Sequence, residues 1–146
     1  MGKLGTMRVF MPGLALCIFL VNVTAQVKSS EPKYFVNKET GAVCEKNNLY
    51  VDLLVGDAGK SGQRIFIISR SGYGERYDLN WRRLRKAQFF LTSGKQIPSN
   101  EIVLAVGRSM GRQKGRLEFY LGSEFFLVSE AERGKDVCLN CCESPY

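Results

Sequence analysis

Arg64-Ile65-Phe66-Ile67-Ile68-Ser69, followed by Asp78-Leu79-Asn80-Trp81-Arg82-Arg83-Leu84-Arg85-Lys86-Ala87-Gln88-Phe89-Phe90-Leu91-Thr92, decides the fold of this 146-residue chain. The first stretch is short, β-branched and aromatic, lies between glycines, and is apolar on both faces, as a central strand is. Ser71 to Glu75 reads as a turn. Asp78 or Asn80 can then N-cap a helix running to about Thr92. Leu84, Ala87, Phe90 and Leu91 form one apolar stripe on it, while Arg82, Arg83, Arg85 and Lys86 crowd its first two turns. A strand that leads through a turn into such a helix lays the helix on a sheet.

Downstream, Gly94 and Pro98 end the helix, and Glu101 to Gly107 reads as a second buried strand. Arg108 to Gly115 is a glycine-rich, strongly basic loop. Arg116 to Leu121 and Glu124 to Val128 are strands joined by Gly122-Ser123, which suits a two-residue hairpin turn. Upstream, Leu49, Leu53 and Leu54, with Tyr50 nearby, recur at helical spacing within Glu45 to Val55. That helix is expected to stop before a loop over Gly56 to Gly62. Gln26 to Gly41 is polar and lacks periodicity, as an extended arm would. The order helix, strand, helix, strand, strand, strand predicts an α/β two-layer sandwich, a small mixed sheet with helices on one face.

Residues 1–25 have the form of a cleavable secretory signal. Lys3 and Arg8 precede an apolar run from Val9 to Val23, no acid occurs before Glu31, and Val23-Thr24-Ala25 offers a peptidase site before Gln26. The run is short of the ~20 residues that span a bilayer. Lipidation at Cys17 is excluded because the bulky Leu16 precedes it and Ile18 to Val21 continue the apolar run. The expected organisation is therefore a signal at 1–25, a polar arm at 26–43, the α/β domain at 44–130 and a cysteine-rich tail at 131–146. The location expected is periplasmic or extracellular, with no transmembrane span after cleavage. The signal carries two basic residues and no acid, leaving 19 basic against 14 acidic residues, a net charge of +5. Such a charge suits an anionic envelope polymer, and export argues against nucleic acid.

No histidine occurs, which removes Ser-His and Cys-His pairs and the commonest metal ligand. With no paired-carboxylate motif either, the expectation is a non-enzyme without metal or other cofactor. Gly56-Asp57-Ala58-Gly59-Lys60-Ser61 has the ending of a phosphate-binding loop. Leu54 stands where its first glycine belongs, however, and the strand-loop-helix order is reversed. Cys44, Cys138, Cys141 and Cys142 point to disulfides in an exported domain. A bond between the adjacent Cys141 and Cys142 is strained, so Cys44 is expected to pair with one of the C-terminal three. A four-cysteine zinc site is the weaker alternative, because only one Cys-x-x-Cys is present.

The basic residues gather at Arg82, Arg83, Arg85 and Lys86, and again at Arg108, Arg112, Lys114 and Arg116. Arg82, Arg83 and Lys86 share neighbouring helix faces, where like charges repel. A cluster kept at that cost is a candidate for gripping a carboxylate. Trp81 and Tyr73 could stack on a sugar, but packing of Trp81 over the sheet edge is the reading preferred.

Leu79 to Leu91, Ile97-Pro98, Glu101-Ile102 and Arg116-Leu117-Glu118 together resemble the OmpA-like peptidoglycan-associating domain over roughly residues 64–121. Arg83 matches the family's helix arginine, Leu91 its closing leucine and Arg116-Leu117-Glu118 its late motif. The resemblance implies that Arg83 holds a carboxylate of a wall peptide. Its usual partner aspartate is missing, since Ser69-Arg70-Ser71 stands where Thr-Asp would be, and the nearby acids Asp78 and Glu75 do not align. Two functional expectations follow. One is a binding module for peptidoglycan or another anionic wall ligand, with Arg83, Arg82, Arg116 and Asp78 at the site. The other is a structural or protein-interaction domain with a dead site, associating with a protein or with itself through Phe125 and Phe126.

Overall fold

Every second residue of the central strand is turned toward the helices. Ile65, Ile67 and Ser69 are buried, whereas Phe66, Ile68 and Arg70 are only partly covered. In the computed structural model, which describes residues 31–109, 111, 112 and 114–139, this strand is the second of five. Residues 1–25, where a secretory signal is expected, the first residues of the arm, Cys141 and Cys142 lie outside the described residues. The elements are β1 (Tyr34–Val36), α1 (Val43–Ser61), β2 (Ile65–Arg70), α2 (Asp78–Phe89), β3 (Ile102–Val106), β4 (Arg116–Leu121) and β5 (Glu124–Glu130). They form one mixed sheet in the order β1-β5-β4-β2-β3, with β1–β5 and β2–β3 parallel and the other two pairs antiparallel.

The expected mixed sheet with two helices is present. Val51, Leu54 and Ala58 of α1 and Leu84, Ala87 and Leu91 of the α2 region share one core with Ile65, Ile67, Leu117, Phe119 and Leu127. Ile67, Phe119 and Leu127 are cross-strand partners, and Ile65 and Leu117 lie two residues along the same face. The helix ends are tied by Lys95, which reaches Asp52 at 2.6 Å and Asn48 at 2.9 Å on α1. No helix among the described residues is long and apolar enough to cross a membrane.

Four local expectations are corrected. The arm contributes β1, so a strand precedes the predicted order. Three residues are too few for a periodic signal, yet Val36 is fully buried and Tyr34 stacks on Tyr50 of α1 at 4.2 Å. Next, α1 continues through the segment read as a loop. Gly56 and Gly59 each cost a helix about 1 kcal/mol, but Ala58 lies one turn beyond Leu54 on the buried stripe. The helix ends instead at Gly62, whose φ of 66° is accessible to glycine and whose N–H donates to the Ala58 carbonyl at 2.8 Å. Third, β3 is an edge strand, with only Ile102 buried. Its unbroken apolar run imitates a central strand because β2 covers one edge and α2 part of one face. Fourth, neither Asp78 nor Asn80 N-caps α2 with its side chain. Asp78 is already helical, and Asn80 is buried and bonded to Ser69 and Ser71.

The tail joins the domain. Cys44, in the first turn of α1, is bonded to Cys138, and of the three C-terminal candidates Cys138 is therefore the partner. Asn47 donates to the Cys138 carbonyl at 2.7 Å, and Ala131, Val137 and Leu139 are buried in the core.

Candidate functional site

Arg83 sits where the β2–α2 loop, the start of β4 and the tail converge. Helical geometry sets this place: Arg83 lies on the buried side of α2 with Leu79, Asn80, Leu84 and Ala87. It does grip a carboxylate bidentately, and the carboxylate belongs to this chain. Arg83 Nη1 donates to Glu75 Oε2 at 2.8 Å and Nη2 to Glu75 Oε1 at 2.7 Å. Its Nε and Nη2 also donate to the Lys135 carbonyl at 3.0 and 2.6 Å. Glu75 accepts two further bonds, from the N–H groups of Gly72 at 2.7 Å and Gly134 at 2.9 Å. Both side chains are 0% exposed. Gly115, the residue before β4, closes the site, since a Cβ there would overlap the guanidinium and the carboxylate.

Burial pushes the Glu75 carboxyl up, but the hydrogen bonds from Arg83, Gly72 and Gly134 and the Arg83 charge outweigh it and hold its pKa at about 2. The pair is thus ionised and internally satisfied. In this structure Glu75 and the Lys135 carbonyl occupy the donors of Arg83, and solvent does not reach it.

The other predicted site residues do not converge with Arg83. Arg82 points outward and donates to Asp136 at 2.9 Å, and Lys86 meets the other oxygen of Asp136 at 3.1 Å. Burial raises the Asp136 carboxyl, and these two cations more than reverse that, so its pKa falls below the usual value. Asp78 is exposed, and Arg76 bonds both its oxygens at 3.0 Å, lowering its pKa. Arg116 lies across the sheet from the helices, directly opposite Arg70. Between these like charges sits Glu118, 1% exposed, which bonds Arg70 at 2.8 Å and also pairs with Arg116. Tyr120 donates to Glu118 at 3.1 Å, and burial together with that carboxylate pushes the phenol up to about 12. Four residues offered as one ligand site therefore lie at three places.

The end of β2, Ser69 to Ser71, is tied to α2 by side-chain hydrogen bonds. Ser69 donates to Asn80 Oδ1 at 2.8 Å, and the Asn80 amide donates to Ser71 at 2.5 Å, fastening α2 to β2. Of the proposed association surface, Phe126 is fully buried and Phe125 stacks on Tyr120 at 4.6 Å. That expectation is corrected as well, because a bulge between Phe119 and Tyr120 shifts the β4–β5 register where Phe126 turns into the core. Trp81 does not cover the sheet edge. It stands 42% exposed on the outer side of α2, and Tyr73 is 72% exposed.

Sequence reasoning missed Glu75 as the partner of Arg83. The available signal was that Glu75 is the sole acid in the Ser71–Tyr77 connection. No group of His, Cys, Asp or Glu among the described residues is arranged to hold a metal ion. No protein-family model, curated protein or solved structure matches this chain.

Proposed function

We propose that this protein is an exported, non-catalytic domain of the cell envelope that works by binding through its outer surface, on an OmpA-like scaffold whose arginine braces the fold. The supporting observation is the filled grip. Glu75, from the loop beside the family's ligand position, supplies the carboxylate that a wall peptide would bring. Opening that pair to admit a ligand would strand a buried charge, which costs about 3–5 kcal/mol. One external carboxylate cannot repay this, because a charge-assisted hydrogen bond returns only about 1.5–3 kcal/mol. Of the two functional expectations, the interaction domain with a silent wall site is the one favoured. The absence of histidine from the chain supports the non-catalytic part of the reading.

The test is co-sedimentation of the protein, purified from the secreted fraction as the cell processes it, with isolated peptidoglycan at low and moderate salt. Weak adhesion that moderate salt abolishes is the expected result, since exposed charges act over only about a Debye length. Retention at moderate salt would overturn the reading.

A further inference from the structure

Glu75 and the tail account for the inward side of α2, while the described residues leave its outward side exposed. Trp81, Arg85 and Phe89 follow one another at four-residue intervals, so they form a row along the helix. The row faces away from Leu84, Ala87 and Leu91, which are in the core. Phe89 is 66% exposed, on the side of the helix opposite the core, and Trp81 is 42% exposed. Large aromatics so placed lose the favourable burial that such residues normally find. Between them, Arg85 is exposed and makes no hydrogen bond or ion pair among the described residues. Arg82 and Lys86 flank it, and their shared counter-ion Asp136 can balance only one of the two charges. Asp78, at one end of the row, is neutralised by Arg76. These residues line an open hollow of about 750 Å³ between the two aromatic side chains.

We propose that this face of α2 docks on an anionic bilayer surface. Trp81 and Phe89 enter the headgroup–acyl boundary, and Arg85, with Arg82 and Lys86, meets the lipid phosphates. Aromatic rings at the polar–apolar boundary combined with Arg and Lys are the chemistry of interfacial attachment. The excess positive charge selects an anionic surface over a neutral one, and it also opposes a second copy of this chain, whose matching face would repel. An acidic peptide fits less well. Arg clusters do hold acidic segments, but such a segment would leave Trp81 and Phe89 without the apolar phase that a bilayer supplies. The inference deepens the binding role proposed above by naming its partner.

The test is flotation of the secreted protein with vesicles of phosphatidylglycerol mixed with phosphatidylcholine, and with phosphatidylcholine alone. The expected result is binding to the mixed vesicles only. Combined Trp81→Ala and Phe89→Ala should weaken it roughly tenfold or more, and Arg85→Gln roughly fivefold. Both variants should keep the wild-type melting temperature, because the three side chains are exposed. Equal binding to both vesicle types, or binding indifferent to these substitutions, would overturn the proposal. So would failure to float combined with substitution-sensitive binding to soluble polyglutamate, which would make the partner an acidic protein segment. In each of those cases, absence of salt-resistant peptidoglycan binding would leave the silent wall site standing, so the two readings fail separately.

Discussion

The two sides of α2 carry arginines two residues apart in sequence and opposite in circumstance. Arg83 is sealed from solvent and its donors are taken by Glu75 and Lys135, while Arg85 stands in the open between two aromatic rings. A basic run is therefore not one functional unit. Helical rotation sorts it, and the inward members become architecture when a loop acid and a tail carbonyl lie within reach. Arg82 and Lys86 occupy the boundary, where Asp136 of the tail bridges them.

The largest effect should come from Cys44→Ser, which frees a loop of 94 residues and should lower unfolding free energy by up to about 4–5 kcal/mol. Chemical denaturation checks it, and a loss under about 1 kcal/mol would mean that the tail is held by its packing alone. Arg83→Ala leaves Glu75 buried without its cation and should cost about 3–5 kcal/mol. A measured cost comparable to that of an exposed substitution would erase the distinction between the two sides.

Acid sharpens the same contrast. The Glu75 pKa is about 2 in the folded chain against 4.5 for the free group. Because the folded value is the lower one, the stabilisation is complete above about pH 4.5 and declines as pH falls toward 2. About 3 kcal/mol should disappear over that window. Urea melts at several pH values should show this slope in the wild type, and a flatter one in Glu75→Gln. Asn80→Ala, which strands the hydroxyls of Ser69 and Ser71, should cost about 1–3 kcal/mol. At the other extreme, Arg85→Gln should move stability by no more than about 0.5 kcal/mol, and a larger loss would show that the outer face is structural too.

Much of the fold was legible because its signals are local. The β2 strand, the α2 stripe and the Gly122-Ser123 hairpin each lie within a dozen residues; the strands fall within a residue or two of expectation, and α2 ends at Phe89, after which a π-helical turn runs from Phe90 to Gly94. Two features were missed because their cause is distant. Tyr34–Val36 becomes a strand only because β5 offers an edge, and Gly56–Ser61 stays helical because Ala58 meets the core. The site was legible in its residue types and misread in its partners. Arg83 was identified as a carboxylate grip, which it is, but no periodicity announces that a glutamate eight residues earlier is the ligand. The outward position of Trp81 was misread for a similar reason. A helix pattern gives the direction of a side chain only after the buried stripe has been located, and here that stripe runs through Arg83.

The bond between Cys44 and Cys138 also decides how the domain would respond to a pull. Tension applied to the chain on either side of those residues passes from one to the other through sulfur. The 94-residue loop between them, holding both helices and four of the five strands, carries none of that load. Among the described residues, β1 before Cys44 and the buried Leu139 after Cys138 stand in the line of force, and β1 is held to β5 by a three-residue parallel register. Stretching should therefore peel away that short strand at low force and then meet a covalent stop.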